Sequence, residues 1–167
     1  MSSSQQTTQR TDGGPVQDIR GVLIQVEGAR LLLPNATISE VLSFADPEPI
    51  ADAPAWLLGR IRWRGWQLPL VSFARLAGLA EEQGGLGSKV VVLKALGDDA
   101  KLPHFALLTQ GFPRLVTVSR GALAADQQQG DLPDGVQVRV TLNDDAALVP
   151  DIEGIEQAIR GALAQAA

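Results

Sequence analysis

The chain has 167 residues, a formal net charge of −5 and 45 % apolar residues, enough for one domain with its own core and too acidic for a general nucleic-acid binder. It contains no cysteine, which excludes disulfides and cysteine-based zinc sites. No run approaches the roughly 18 consecutive apolar residues of a membrane-spanning helix. Residues 1 to about 18 are rich in Ser, Gln and Thr and lack the apolar stretch of a secretory signal, so the expected location is cytoplasmic, without membrane insertion.

These first 18 residues are aperiodic and read as a disordered tail. Val22, Ile24 and Val26 then alternate with Leu23, Gln25 and Glu27 in a first strand, Glu27-Gly28-Ala29 turns it, and Arg30–Leu33 returns until Pro34. Thr37–Leu42 is β-branched and alternating, with Ile38 and Glu40 on one face and Val41 on the other. Ser43–Pro54 is a Pro-rich, acidic loop. Pro54–Leu58 predicts one helical turn ending at Gly59.

The next stretch, Gly59–Leu70, is the most informative. Arg60, Arg62 and Arg64 alternate with Ile61 and Trp63; after Gly65 come Trp66, Leu68 and Leu70. With Arg64-Gly65 as a turn, Ile61, Trp63, Trp66 and Leu68 line the core face of a hairpin, opposite Arg60, Arg62, Gln67 and Pro69. Arginine fits poorly at the first position of a type I′ turn, which leaves a longer loop open. The arginines either keep an edge strand soluble or form a docking surface for an acidic or helical partner.

Beyond this, Val71–Leu79 is a helical turn or a strand end. Ala80–Ser88 is a loop expected at the midpoint of the fold. Lys89–Leu96 is apolar enough for burial on both faces, with Phe105–Thr109 as its partner. Arg114–Val118 is a further strand, and Ala122–Gly135 a polar connection. Val136–Thr141 and Ala147–Pro150 form a hairpin around Asn143-Asp144-Asp145. A terminal helix starts at an Asp151 cap, with Ile152, Ile155, Ile159 and Leu163 on one stripe. About nine short strands and one helix predict an all-β fold of two small barrels on one shared core, residues 19–164, divided near 80–88.

Catalytic chemistry is not visible. His104 is the single histidine and reads as structural or solvated. Gly84–Lys89 has the wrong order for a phosphate loop. Asn143-Asp144-Asp145 lacks the further acids of a calcium loop. The expectation is a non-enzymatic binder with no cofactor and no metal.

Glu40-Val41-Leu42, Pro54-Ala55-Trp56-Leu57-Leu58-Gly59, Trp63-Arg64-Gly65 and Leu68-Pro69-Leu70-Val71 together resemble the CheW-like domain of bacterial chemosensory systems. That family's pattern runs E-V, P-x-(W/F)-(I/L)-x-G, then N-x-R-G-x-(I/V)-x-P-(I/V)-(I/V)-D-L. The resemblance implies two SH3-like five-stranded barrels and a short C-terminal helix. It also implies an adaptor between chemoreceptor cytoplasmic tips and the regulatory domain of a CheA-type histidine kinase. By the same resemblance Arg64, Gly65, Gly59, Glu40, Ile38, Val41 and Arg62 fall on partner-binding positions. Arg62 stands where the pattern has Asn, Ser72 where it has Asp, and Thr109-Gln110-Gly111-Phe112 replaces V-D-x-V. These departures, with the ending Pro150-Asp151-Ile152-Glu153, are similar to the ChpC-type accessory proteins of systems controlling type IV pili and twitching motility. The alternative is a binder of nucleic acid or another acidic ligand through Arg60, Arg62 and Arg64, with Trp63 and Trp66 stacking on bases.

Overall fold

The computed structural model describes residues 18–119, 121–126 and 130–166; apart from Asp18, the expected tail lies outside them. Eleven strands and two helices follow in order: β1 (Ile19–Val26), β2 (Ala29–Pro34), β3 (Ile38–Ser43), β4 (Leu57–Trp63), β5 (Trp66–Val71), α1 (Phe73–Leu76), β6 (Lys89–Lys94), β7 (His104–Thr109), β8 (Arg114–Val118), β9 (Leu123–Ala125), β10 (Val136–Leu142), β11 (Asp145–Pro150) and α2 (Ile152–Ala166). They form a six-stranded sheet, β8-β1-β2-β11-β10-β9, and a five-stranded sheet, β3-β6-β7-β5-β4. This is the expected all-β architecture of two SH3-like barrels with a C-terminal helix. The sixth strand of the first sheet is β9, three exposed residues inside the stretch expected to be a polar connection.

Period-two alternation explains how one strand serves two cores. On β1, Val22, Ile24 and Val26 join the core shared by both barrels, while Leu23 turns into the first barrel with Leu32, Val118, Val140 and Leu142. On β6, Val91 and Leu93 enter the shared core, and Val90 and Val92 face the interior of the second barrel. β7 divides likewise, Phe105 and Leu107 against Ala106 and Leu108. The continuous apolar run of β6 is therefore buried on both faces.

The two sheets interleave along the chain. β1 and β2 belong with β8–β11, and β3–β7 form the other sheet. The 80–88 loop joins β5 to β6 inside that second sheet, so it does not divide the barrels as expected. Both closing contacts are parallel pairings between strands distant in sequence, Leu31 with Leu148 and Leu70 with Ala106.

Two local expectations are corrected. Pro54–Leu58 is a single turn, closed by the Leu57 N–H donating to Pro54 O at 3.0 Å. It leads into β4, so Leu57 and Leu58 are already strand and Gly59 is no helix cap. In β3 the register shifts between Ile38 and Glu40, pairing Ile38 with Leu93 but Glu40 with Val92. This bulge cancels one alternation. Ile38 and Val41 accordingly both pack on the shared core, leaving Glu40 on a different face from Ile38.

Both helices carry side-chain N-caps, of which the sequence points to Asp151. Ser72 Oγ accepts from the Arg75 N–H at 3.2 Å at the start of α1. Asp151 Oδ1 accepts from the Gly154 N–H at 3.1 Å at the start of α2, the third-position bond of a side-chain N-cap. Ile152, Ile155 and Ile159 bury the stripe of α2 in the shared core, with Leu163 packed against it.

Candidate functional site

The arginine hairpin is a two-residue turn. Trp63 and Trp66 are direct partners, and Arg64 (φ 50°) and Gly65 (φ 83°) both have positive φ, the signature of a type I′ connection. The longer loop is not needed. The hairpin at Asn143 (φ 51°) and Asp144 (φ 71°) has the same form, but Asn and Asp tolerate the left-handed region and arginine does not. Among the described residues Arg64 is the only positive-φ position that is neither Gly, Asn nor Asp.

Three contacts tie Arg64, Trp63 and Glu40 into one cluster. Its Nη2 donates to Glu40 Oε1 at 3.0 Å. The same carboxylate oxygen accepts from the Trp63 indole Nε1 at 2.9 Å. The guanidinium carbon lies 4.8 Å from the Trp63 ring centroid, within cation–π range. β3 and β4 are the two edges of the five-stranded sheet. Glu40 on β3 thus ties down the end of β4, and the cluster closes the barrel where no backbone ladder does.

Under it lies His104, its ring 4.8 Å from Trp63 at 60° and paired across the sheet with Lys94. Its Nδ1 is buried and has no hydrogen-bond partner. Desolvation, then the charges of Lys94 and Arg64, hold the imidazole pKa below its ordinary value of 6.5. The neutral ring is therefore a wedge behind Trp63. Nothing in its own neighbourhood of the sequence, Pro103-His104-Phe105, predicts this; only the β6–β7 register does.

The structure brings Glu40, Arg64 and Gly65 together, with Arg62 beside the turn, and separates Ile38, Val41 and Gly59 from them. Ile38 and Val41 pack on the shared core. Arg62 is exposed on β4 and lines a groove of about 370 Å³ with Leu42, Asp46, Glu48, Arg60 and Ile61. Gly59 sits at the far end of β4, within the strand. Its φ is 148°, and a Cβ there would stand 2.3 Å from Glu48 O. Glu48 pairs with Arg60 through both backbone bonds, at 2.9 and 2.8 Å, so Gly59 admits a strap that covers this part of the β4 edge.

The two tryptophans of the hairpin are not equivalent. Trp63 is 8 % exposed, as expected of core; Trp66 is 43 % exposed and is not. Pro69, expected on the opposite, arginine-bearing face, is buried. With Trp63 held between Glu40, Arg64 and His104, only Trp66 offers a ring for stacking, which removes half of the aromatic platform on which the nucleic-acid alternative depends.

A second polar centre escaped the sequence reading. Glu82 is fully buried. Its carboxylate accepts from Ser72 Oγ at 2.8 Å, the Glu27 N–H at 2.9 Å and Gln110 Nε2 at 3.0 Å. It pins the 80–88 loop to the β1–β2 turn, α1 and the end of β7. Two adjacent acids in a Gly-rich loop carry no signal that one of them is internal. Among the described residues no group of three or more His, Asp or Glu side chains is placed to hold a metal ion, and no helix is long and apolar enough to cross a membrane.

The CheW-like domain model matches residues 20–160. The chain belongs to this family. Among solved structures it is similar to the scaffolding protein TtCheW from Thermoanaerobacter tengcongensis. That match has a TM-score of 0.68 and 13 % identity, over 84 % of this chain and 88 % of that one. At such identity the likeness speaks for the fold. No curated protein matches the chain significantly. Within the CheW-like frame the Glu40–Trp63–Arg64 cluster occupies the E-V and R-G segments of the family pattern, brought together from β3 and the β4–β5 turn.

Proposed function

We propose that this CheW-like chain is a non-enzymatic, cytoplasmic adaptor of bacterial chemosensory signalling. It couples chemoreceptor cytoplasmic tips to the regulatory domain of a CheA-type kinase, and Arg64 is a receptor contact. The observation that carries this is Arg64 itself. An arginine kept in a left-handed turn, where Gly or Asn would be at ease, costs of order 1–3 kcal/mol. A binding surface at the hairpin tip supplies the reason for that cost. The bond to Glu40 leaves the Arg64 side chain largely exposed, and a guanidinium has further N–H groups with which to bind a second acidic partner. Pro150-Asp151-Ile152-Glu153, the run similar to the pilus-system accessory proteins, spans the β11–α2 junction and starts α2 here. The coupling role is therefore proposed without assigning a particular motile organ.

The test is co-purification of the full chain with a receptor tip fragment and with the kinase regulatory domain. Wild type should retain both. Arg64→Glu should lose the receptor fragment by at least tenfold while keeping the kinase domain. A variant that behaves as wild type toward both partners removes Arg64 from the interface. A wild-type chain that holds neither partner removes the adaptor role.

A further inference from the structure

Trp66 is an exposed aromatic that the hairpin's own pattern would have put in the core. Trp63, directly across from it, is covered by Glu40, Arg64 and His104. Trp66, its register partner at the start of β5, is 43 % exposed. A shallow groove of about 360 Å³ runs along this tip, lined by Arg62, Trp63, Arg64, Gly65, Trp66 and Gln67. Arg62 and Arg64 are both exposed, and Arg62 makes no ion pair among the described residues. In a chain of net charge −5, this puts a part-exposed indole in one groove with two cations.

We propose that Trp66 is the apolar anchor of the docking surface to which Arg64 contributes. The occupant that fits is a helical partner that carries an apolar side chain flanked by carboxylates. This rests on the adaptor reading above and adds the element that would set specificity. Three features argue for it. Exposed tryptophan beside arginine is the composition of interface hot spots. The I′ turn and the Trp63 pairing fix the backbone that carries the indole, so little main-chain freedom is lost on binding. The arginines of the same groove have the sign that an acidic helix requires. The groove is concave and the indole forms part of its lining, so the partner that fills it is convex, as the side chains along one helix are.

The test uses the full chain and a chemoreceptor tip fragment at physiological salt, by calorimetry. Trp66→Ala should weaken binding roughly 30-fold or more, Trp66→Phe by less, and Arg62→Glu about tenfold. None should weaken binding to the kinase regulatory domain. In wild type labelled with fluorotryptophan, the Trp66 resonance, identified by its loss in Trp66→Phe, should shift when the tip fragment is added. That readout stands even if Trp66→Ala fails to fold. Binding unchanged in Trp66→Ala, or an unshifted Trp66 resonance in the complex, overturns the role of Trp66 and leaves the adaptor reading intact. A wild-type chain that binds no tip fragment, or that prefers single-stranded nucleic acid, overturns both.

Discussion

Glu40, Trp63, Arg64 and His104 divide one small site into parts with different energetics. The Trp63 indole N–H is largely buried and Glu40 is its acceptor, so removing the acceptor costs about 1–3 kcal/mol. The Glu40–Arg64 pair is exposed, and such pairs contribute ~0–1 kcal/mol. Glu40→Ala is therefore expected to lower the melting temperature by several degrees and Arg64→Ala by much less. Equal shifts in paired thermal melts would mean that the indole bond is not what holds the seam. His104 makes a pH prediction with a definite sign. It faces Arg64 from the turn and Lys94 from β6, with Glu40 lying beyond Trp63, and its folded pKa is depressed by burial and by those cations. Unfolded, it takes a proton near 6.5. Below that value the unfolded chain binds more protons, so stability is fully present above 6.5, falls on acidification toward the lowered folded pKa, and then levels. The stability lost by wild type between about pH 7 and pH 5 should exceed that lost by His104→Gln. Identical losses in denaturant titrations would clear His104 of any part in acid sensitivity.

At the scale of elements, hairpins were the legible feature. The β1–β2, β4–β5 and β10–β11 turns follow from Gly28, Arg64-Gly65 and Asn143-Asp144 with apolar alternation on either side. The β3 bulge was not legible, because an extra residue leaves composition unchanged while it flips every later side chain. Gly59 belongs to the same lesson. Its glycine reads as a helix end, but its use is to let the Glu48 backbone approach β4. In Gly59→Ala the new Cβ meets backbone and φ is unfavourable, so the strap must lift. We expect a loss of about 2 kcal/mol or more, and fast hydrogen exchange at the Glu48 and Arg60 amides with the β4–β5 hairpin itself retained. Unchanged protection at those two amides would show that the strap adapts.

For the whole molecule the shared core is the unit of stability. It takes residues from strands of both sheets and from both helices, so each barrel shares part of its packing with the other. Ile155 is fully buried in it. Ile155→Ala should cost ~2–5 kcal/mol and should do so in one cooperative transition, with amides of β1 and β7 losing protection together. Two separated transitions, one per sheet, would contradict a single core. The interleaving that produces this unity is invisible to local reading. The β2–β11 and β5–β7 pairings join strands far apart in the chain, and no residue in either strand marks its partner.

By itself, the sequence determined what depends on nearest neighbours. Strand periodicity, turn chemistry, the Asp151-capped helix and the CheW-like pattern all lie within short windows, where backbone preference and apolar spacing act. Tertiary structure alone decided the rest. It placed Glu40 on Trp63 and Arg64, buried Glu82, set His104 without a partner for Nδ1, and left Trp66 outside while burying Trp63. The physical reason is the same in each case. Burial and hydrogen bonding belong to pairs of residues, and here the members of each pair come from strands whose adjacency is settled only when two sheets close on a common core.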